Sequence, residues 1–439
     1  MIKEFIENNI DNMKQDLKKL VSYNSERSND GEPFGLNNRL VLDEALKMLS
    51  SIGLKTKNLD YYCGYGEVGD GDKTIGIVAH LDVVPCSSDW NTNPFEMIEK
   101  DGYLYGRGVS DDKGAVIASL YAIKYLIETK YEFKKKLRLI LGCNEETGSK
   151  CIKHYVECEG HVDMGFTPDG NFPGIYAEKG ILGGTLKGKS KIIDIKGGEA
   201  TNIVCKKVEA VLPRDSFDID KFESFMNEHS IKFDFDGSNL TVYGQAAHAS
   251  CPDLGVNAIN YLFEGLYVAG FDDDYVKMMH EYYGLDVHGE KQGFLELKDD
   301  ITDTTTNLGV IKKENDEIVT TVDMRFPVKT TLNRCIELLE KNPYYVTGGG
   351  EEPLYFDRNS KMIKALKRAY EDVTDDLENE MEAIGGGTYA KSINNIIAFG
   401  CEFIGENNHI HDDNECLSIE SFKKQVEIYV EAIKNLNEV

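Results

Sequence analysis

Acidic side chains and histidines follow three short apolar runs of the sequence, at the point where each run ends. His80 and Asp82 follow the run 74–79, Glu145 and Glu146 follow the run 137–142, and Asp169 follows the run 162–166. The runs are β-branched or Leu-rich and bounded by turn residues, which predicts strands. Because ligands in open α/β sheets bind beyond the carboxyl ends of the strands, we expect these side chains at one edge of a sheet.

Two further segments carry the same residue types. The loop 106–114 holds Asp111 and Asp112 ahead of an Ala-rich buried helix, and the segment 408–415 holds His409 and His411 after the strand 395–400. Each residue alone has an ordinary interpretation: a hydrogen-bonded core histidine, a turn former, a helix cap or a solvated charge. Their shared position at one edge favours a divalent-metal site, because crowded carboxylates repel one another unless cations neutralise them.

The order of the elements predicts two domains. Strand and helix patterns alternate up to residue 178 and again from residue 355, which predicts an α/β catalytic domain with a mainly parallel sheet flanked by helices. Between residues 179 and 354, Gly-rich and alternating segments predict antiparallel strands with helices between them. We therefore expect a catalytic domain of residues 1–178 and 355–439, interrupted by an inserted α+β lid domain of residues 179–354.

Charge and cysteine content narrow the possible binding partners and the cellular compartment of the protein. The chain has 49 Lys and Arg and 76 Asp and Glu, which gives a net charge of −27. Nucleic acids and anionic membrane surfaces bind basic patches, so a chain this acidic is not expected to bind either. The sequence has no apolar stretch of membrane-spanning length, and its first residues lack the pattern of a signal peptide. Ten scattered cysteines without a C-x-x-C pair indicate a reducing compartment. We expect a cytoplasmic protein with no nucleic-acid or membrane partner.

These segments resemble a family of zinc metallopeptidases that includes aminoacylases, carboxypeptidase G-type enzymes and succinyl-diaminopimelate desuccinylase. The matching motifs occur in family order over nearly the whole chain: AHLDVVP (79–85), YGRGVSDDKG (105–114), NEETGS (144–149), TPDGNFP (167–173), GQAAHAS (244–250), DMRFP (323–327), GGGTYA (385–390) and HDDNE (411–415). The Asp-Asp-Lys-Gly, Thr-Pro-Asp and Gly-Gly-Gly-Thr-Tyr variants are similar to the bacterial PepV-type (Xaa-His) dipeptidases.

The resemblance implies a set of five metal ligands around two metals. Asp111 would bridge both metals, His80 and Asp169 would complete one site, and Glu146 and His411 would complete the other. The family spacing makes His411 the ligand and His409 a neighbour. The resemblance also implies a cis peptide bond between Asp111 and Asp112.

Three residues are expected to act in catalysis by the same resemblance. Glu145 would be the general base that takes a proton from water. Asp82 would accept a hydrogen bond from His80 and fix its ring. His248, in the inserted domain, would stabilise the oxyanion, although as a single residue it is equally explained as a polar helix cap.

Substrate binding is expected to involve the inserted domain and a Gly-rich loop. Arg325 would grip the terminal carboxylate of the substrate, although an arginine on a strand is more often a surface ion-pair partner. Asn202 would assist binding, but Cys205 stands nearby where the family commonly has proline. Gly386, Gly387 and Thr388 would bring main chain close to the substrate, or form a flexible turn.

The predicted function is metal-dependent hydrolysis of dipeptides with a free C-terminal carboxylate. Removal of acyl or succinyl groups from amino acids is the alternative, because the same chemistry cleaves any amide; a non-catalytic binding protein on this fold is a third. We expect two divalent metal ions, zinc first, with manganese or cobalt also suited to the oxygen-rich ligands. The expected partner is a small peptide substrate. By the same resemblance, the insertion is long enough to be a doubled form of the family's dimerisation domain, which predicts a monomer.

Overall fold

The computed structural model describes the whole chain, Met1–Val439, as a mixture of α-helices and β-strands. The α-helices are α1 (Ile2–Val21), α2 (Leu36–Ser51), α3 (Lys113–Glu128), α4 (Lys150–Glu159), α5 (Ile219–Glu228), α6 (Ala258–Val268), α7 (Asp274–Tyr282), α8 (Leu332–Leu339), α9 (Lys361–Thr374) and α10 (Ile419–Glu438). No helix is both long and apolar enough to cross a membrane.

The strands fall into a mixed sheet, an antiparallel sheet and a small three-stranded sheet. They are β1 (Lys55–Leu59), β2 (Cys63–Val68), β3 (Thr74–His80), β4 (Ile98–Lys100), β5 (Tyr103–Tyr105), β6 (Lys136–Gly142), β7 (Met164–Thr167), β8 (Ile175–Glu178), β9 (Gly180–Lys189), β10 (Asp194–Gly197), β11 (Lys207–Val211), β12 (Phe233–Phe235), β13 (Asn239–Tyr243), β14 (Thr305–Glu314), β15 (Glu317–Phe326), β16 (Tyr345–Glu351), β17 (Leu354–Tyr355), β18 (Glu382–Ile384), β19 (Ile396–Ala398) and β20 (Cys416–Ser418).

The chain divides into two compact units. The first consists of Met1–Tyr176, Phe356–Glu382 and Gly387–Val439, and the second of Ala177–Tyr355 and Ala383–Gly386. The short segment Ala383–Gly386 belongs to the second unit although it lies among residues of the first in sequence, which no pattern in the sequence indicated.

The first unit contains a sheet whose central strands are parallel. Its strands run in the order β1-β2-β6-β3-β7-β19-β8. Strands β6, β3, β7 and β19 are parallel to one another, whereas β1, β2 and β8 are antiparallel to their neighbours. Helices α3 and α10 pack against β3, and α2 and α4 pack against β1 and β2. The prediction of an α/β fold with a mainly parallel, helix-flanked sheet is confirmed.

Register within this sheet aligns the strand ends that carry the predicted site. His80 at the end of β3 lies opposite Gly142 at the end of β6, and β7 runs parallel to β3 on its other side. A Cβ on Gly142 would overlap the hydroxyl of Tyr389, so this strand end requires glycine. The residues that follow β3, β6 and β7 therefore emerge at one edge of the sheet.

The second unit is built on an eight-stranded antiparallel sheet in the order β12-β13-β11-β10-β14-β15-β9-β16. Its core is continuous and includes residues of α5, α6, α7 and α8. All four helices begin at a side-chain cap; in α5 and α6, Asp218 accepts from Lys221 N and Asn257 accepts from Ile259 N. The predicted α+β character of the insertion is confirmed.

Candidate metal centre

His80 ends β3 fully buried, with its two ring nitrogens against different partners. Nδ1 lies 3.0 Å from the main-chain oxygen of Asp82, and Nε2 lies 2.8 Å from Oδ1 of Asp111. A main-chain carbonyl only accepts, so Nδ1 carries the proton and donates to it. In a neutral ring Nε2 then carries no proton, so Nε2 and the Asp111 carboxylate that it faces are both acceptors. This arrangement requires a positive species between the two atoms, either a proton or a metal ion.

Asp111 lies between two histidines, one at each carboxylate oxygen. Its Oδ1 faces His80, and its Oδ2 lies 2.9 Å from Nε2 of His411. Nε2 of His411 is also 3.1 Å from Oε1 of Glu146. Each oxygen of the Asp111 carboxylate is thus directed at a different histidine. A carboxylate placed in this way could bridge two metal ions, one beside each histidine.

The loop leading into α3 places Asp111. The peptide bond between Asp111 and Asp112 is cis, as the sequence resemblance implied. Asp112 occupies the N-cap position of α3, but its Oδ2 accepts from the main-chain nitrogen of His80 at 3.0 Å instead of capping the helix. Asp112 thereby joins the start of α3 to the end of β3.

Two groups of three residues present ligand atoms close enough to share an ion. The ligand atoms of His80, Asp111 and Glu146 all lie within 4.8 Å of one another, and so do those of His80, Glu145 and Asp169. Imidazole nitrogen combined with carboxylate oxygen suits zinc, manganese or cobalt. The residues present therefore fit divalent metal ions.

Asp82 serves this site in a way the sequence did not indicate. Nδ1 of His80 lies 3.0 Å from the main-chain oxygen of Asp82 and 3.6 Å from its carboxylate Oδ1, so its closer contact is with the main chain. The Asp82 carboxylate instead accepts from the main-chain nitrogens of Glu145 at 3.0 Å and Glu146 at 3.2 Å. It orders the turn that carries both glutamates.

Burial and mutual repulsion raise the pKa of three carboxyl groups in the cluster. Burial is the larger cause in each case, followed by the charge of Asp169 for Glu145 and of Asp111 for Glu146 and Asp169. The pKa of Asp169 rises to about 7. A bound cation would favour the ionised forms of all three groups.

The surrounding negative charge raises the pKa of both histidines. Hydrogen bonds to Asp111 and Glu146 raise the pKa of His411 to about 11. Burial is the largest influence on His80 and opposes its protonation, but the charges and hydrogen bonds of Asp111 and Asp82 together outweigh burial and raise the pKa of His80 well above its usual value. In the same way His80 and His411 overcome the burial of Asp111 and lower its pKa. The cluster has excess negative charge that a cation would offset.

In the second unit, main-chain and side-chain contacts bring together three of the residues predicted to meet substrate. The main-chain oxygen of Asn202 accepts from Ala249 N at 2.9 Å, and Ile203 pairs with His248 in an isolated bridge. The charge of Arg325 reaches His248 and, after partial desolvation, contributes to lowering its pKa. Asn202, His248 and Arg325 therefore lie near one another.

Arg325 is held by Asp323 two residues before it on β15. Nε and Nη2 donate to the two Asp323 oxygens at 2.6 and 3.0 Å, and Nη1 donates to the main-chain oxygen of Gly385 at 2.9 Å. Of the five guanidinium N–H groups, one on each Nη stays free to bind a carboxylate. The sequence could have indicated Asp323 as the partner of Arg325, because residues two apart on a strand point to the same face of the sheet.

The Gly-rich loop predicted to meet substrate is divided between the units. Gly385 and Gly386 belong to the second unit, and Gly387 and Thr388 belong to the first. Thr388 accepts from Ala390 N as the cap of a short 3₁₀ turn at Tyr389–Lys391.

The two histidines and four carboxylates gathered here are the ligand types found in metal-dependent hydrolases. Comparison with known sequences makes the class specific: the chain belongs to peptidase family M20/M25/M40, whose model matches residues 76–435. The protein is accordingly a metallopeptidase.

Similar proteins match this chain over nearly its whole length. A "putative dipeptidase" of Staphylococcus aureus (strain bovine RF122 / ET3-1) is 32% identical, with 99% of each chain covered. Another from Staphylococcus haemolyticus (strain JCSC1435) is 31% identical, with 96% of each chain covered. Human carnosine dipeptidase 1 has a similar fold, with a TM-score of 0.61 at 15% identity, covering 100% of this chain and 98% of that one.

Proposed function

We propose that the protein hydrolyses dipeptides that carry a free C-terminal carboxylate. The observation that supports this proposal best is Asp111, which presents one oxygen to His80 and the other to His411 beside a second cluster that contains Glu145. Such an arrangement of ligand atoms would suit a two-metal hydrolytic site, which supports the proposal. The relatives described as dipeptidases support a dipeptide as the substrate.

We propose His80, Asp111, Glu146, Asp169 and His411 as the ligands of two divalent ions, with zinc as the native metal. When bound, such ions polarise the scissile carbonyl and lower the pKa of water. Asp111 would hold the two sites at a fixed separation. Asp82 would keep Glu145 and Glu146 in place through their main-chain nitrogens.

The chain's own residues would then carry out the proton transfers. Glu145 would take a proton from the attacking water and deliver it to the leaving amine. His248 would donate to the oxyanion, and its lowered pKa favours the neutral ring, which can donate from one nitrogen. Arg325, oriented by Asp323, would bind the carboxylate of the substrate with its free N–H groups.

The experiment that tests this function is metal reconstitution against a substrate panel. The metal-stripped protein is given zinc, manganese or cobalt and offered dipeptides, Xaa-His dipeptides among them, beside N-acetyl and N-succinyl amino acids. We expect metal-dependent cleavage of dipeptides and the highest activity with zinc. Faster cleavage of the acylated amino acids would replace the dipeptidase proposal with a deacylase.

We also propose a cytoplasmic location. All ten cysteines are free, which is the state expected in a reducing compartment. Fractionation of cells with an antibody against the protein tests this, and recovery from the culture medium would contradict it.

A further inference from the structure

We infer that Glu415 is a positioning residue that holds the Asp111 loop and the His411 segment together as one metal-binding unit. This inference rests on the proposed metal site. Glu415 belongs to a motif of the sequence, but none of the roles proposed above uses it. Its carboxylate is fully buried, beside that of Asp111, which carries the same charge.

The Glu415 carboxylate is saturated by donors from a single loop. Oε1 accepts from the main-chain nitrogens of Ser110 at 2.9 Å and Asp111 at 3.0 Å. Oε2 accepts from Gly108 N at 2.9 Å and from Nη1 of Arg107 at 3.0 Å. A carboxylate has about four acceptor sites, so these four bonds leave none for a metal ion. Glu415 therefore acts on the loop and not as a ligand.

The four bonds connect two segments that lie far apart in the sequence. One of the donors is the main-chain nitrogen of Asp111 itself, and Glu415 follows His411 by four residues. Two further bonds join the same segments: Gly106 N donates to the main-chain oxygen of Glu415 at 3.1 Å, and Asn408 Nδ2 donates to Ser110 Oγ at 3.1 Å. The distance between the Asp111 and His411 side chains thus depends on this connection.

Arg107 explains how a further buried acid is tolerated next to the cluster. Its buried guanidinium pairs with Glu415, so the pair adds no net charge to the metal site. Arg107 also lies 5.1 Å from the ring centre of Trp90, the single tryptophan of the chain. The fluorescence of Trp90 therefore reports on the environment of this ion pair.

Glu415→Gln replaces one acceptor oxygen with a donor of the same shape. The amide nitrogen would face N–H groups, so the loop must shift and Asp111 moves relative to His411. Changes to residues that orient metal ligands weaken metal affinity by about 10- to 100-fold, and we expect a loss of this size. Since the ligands themselves remain, saturating zinc should restore most of kcat.

The test is competition for zinc between the protein and a chelator, followed by Trp90 fluorescence, for the wild type and Glu415→Gln. Glu67→Gln is the matched control, because it removes an acceptor from Arg138, a half-buried arginine of the same unit that lies outside the proposed metal site. We expect the zinc affinity of Glu67→Gln to equal that of the wild type. If the wild type itself binds no zinc, the proposed function fails, which separates that failure from a failure of this inference.

Two outcomes would overturn the inference. One is a folded Glu415→Gln protein whose zinc affinity lies within about twofold of the wild type, a difference well under 1 kcal/mol. The other is an equal loss in Glu67→Gln, which would indicate general destabilisation. If Glu415→Gln does not fold, Arg107→Lys decides the question: it keeps the charge but loses the guanidinium geometry, and we expect weaker zinc binding with a changed Trp90 spectrum.

Discussion

Glu145 and Glu146 are adjacent residues with different surroundings. Glu146 lies against His411, as a ligand would, whereas the carboxylate of Glu145 lies with His80 and Asp169 in the second cluster. Burial and the charge of Asp169 raise the pKa of Glu145 well above its usual value, which favours a group that accepts and returns a proton. The position of Glu145 also allows a role as a ligand, and the two roles make different predictions.

Replacing Glu145 separates a general base from a metal ligand. We expect Glu145→Ala to lower kcat by about 10²- to 10⁴-fold, the usual contribution of general-base catalysis. Metal content, measured by elemental analysis after gel filtration, should stay near that of the wild type. Glu146→Ala is the matched control and should lose metal together with activity. Loss of metal from Glu145→Ala, or a kcat near normal, would contradict the assignment.

Arg325 offers a second test at the level of a single residue. Its free N–H groups would form charge-assisted hydrogen bonds worth about 1.5–3 kcal/mol, so Arg325→Ala should lower kcat/KM by about 10- to 100-fold on free dipeptides. Amidated dipeptides lack the carboxylate and should lose far less. Asp323→Asn keeps the arginine but weakens its support, and we expect the same pattern with a smaller loss. Equal losses on both substrate types would remove Arg325 from carboxylate binding.

At the scale of elements, Asn307 on β14 supports the loop that carries Asn202. Its buried amide donates to the main-chain oxygens of Thr201 at 2.9 Å and Ile203 at 3.0 Å, on both sides of Asn202. Asn257, the cap of α6, donates to the Asn307 oxygen at 3.0 Å. Since Ile203 also pairs with His248, this amide supports two of the predicted substrate residues through their main chain.

We expect Asn307→Ala to reduce both stability and catalysis. Leaving buried polar groups unpaired costs about 1–3 kcal/mol, which unfolding in urea would show. The loosened loop should also lower kcat/KM for dipeptides. Asn437→Ala is the control, because this buried amide donates similarly to Tyr131 and Glu132 but contacts no site residue. It should lose stability with kcat/KM unchanged; an equal fall of kcat/KM in both variants would contradict the role of Asn307.

The sequence predicted the elements that are buried and apolar, and failed for those that are short or polar. Strands β3, β6 and β7 and helix α3 are mostly apolar and largely buried, so their periodicity and length suffice. The hairpin of β1 and β2 and the small sheet of β4, β5 and β20 were not predicted, because β1 and β4 expose most of their residues. Their order depends on neighbours that no local pattern specifies.

The same limit applies to the site. Residue types and strand ends were enough to predict which side chains gather, because a parallel sheet brings its strand ends to one edge. The contacts of Asp82 and Glu415 were missed since both bind main-chain nitrogens, which every residue has and no motif distinguishes. The sequence therefore indicates the groups that do chemistry more readily than the groups that hold them.

At the scale of the whole molecule, the antiparallel sheet of the second unit consists of two four-stranded halves. Strands β12, β13, β11 and β10 form one half, and β14, β15, β9 and β16 form the other. They meet where β10 pairs with β14, a contact of only two residue pairs, Lys196 with Lys312 and Gly197 with Ile311. We propose that this sheet is a doubled lid. In a single lid, such a half would pair with the same half of a second copy, whereas here both halves belong to one chain.

A doubled lid predicts a monomer. Because β10 and β14 pair with each other, each has a neighbouring strand on both sides, and neither is the outermost strand of the sheet that a second copy could extend. Light scattering after gel filtration should give a mass near 49.3 kDa that does not change as the protein is diluted. The outer strands β12 and β16 are the remaining edges of this sheet, and β16 carries Gly348, Gly349 and Gly350, which weaken strand pairing. A concentration-independent mass of twice this value would show that an edge or another surface joins two copies, and the doubled-lid argument would then fail as a reason for the oligomeric state.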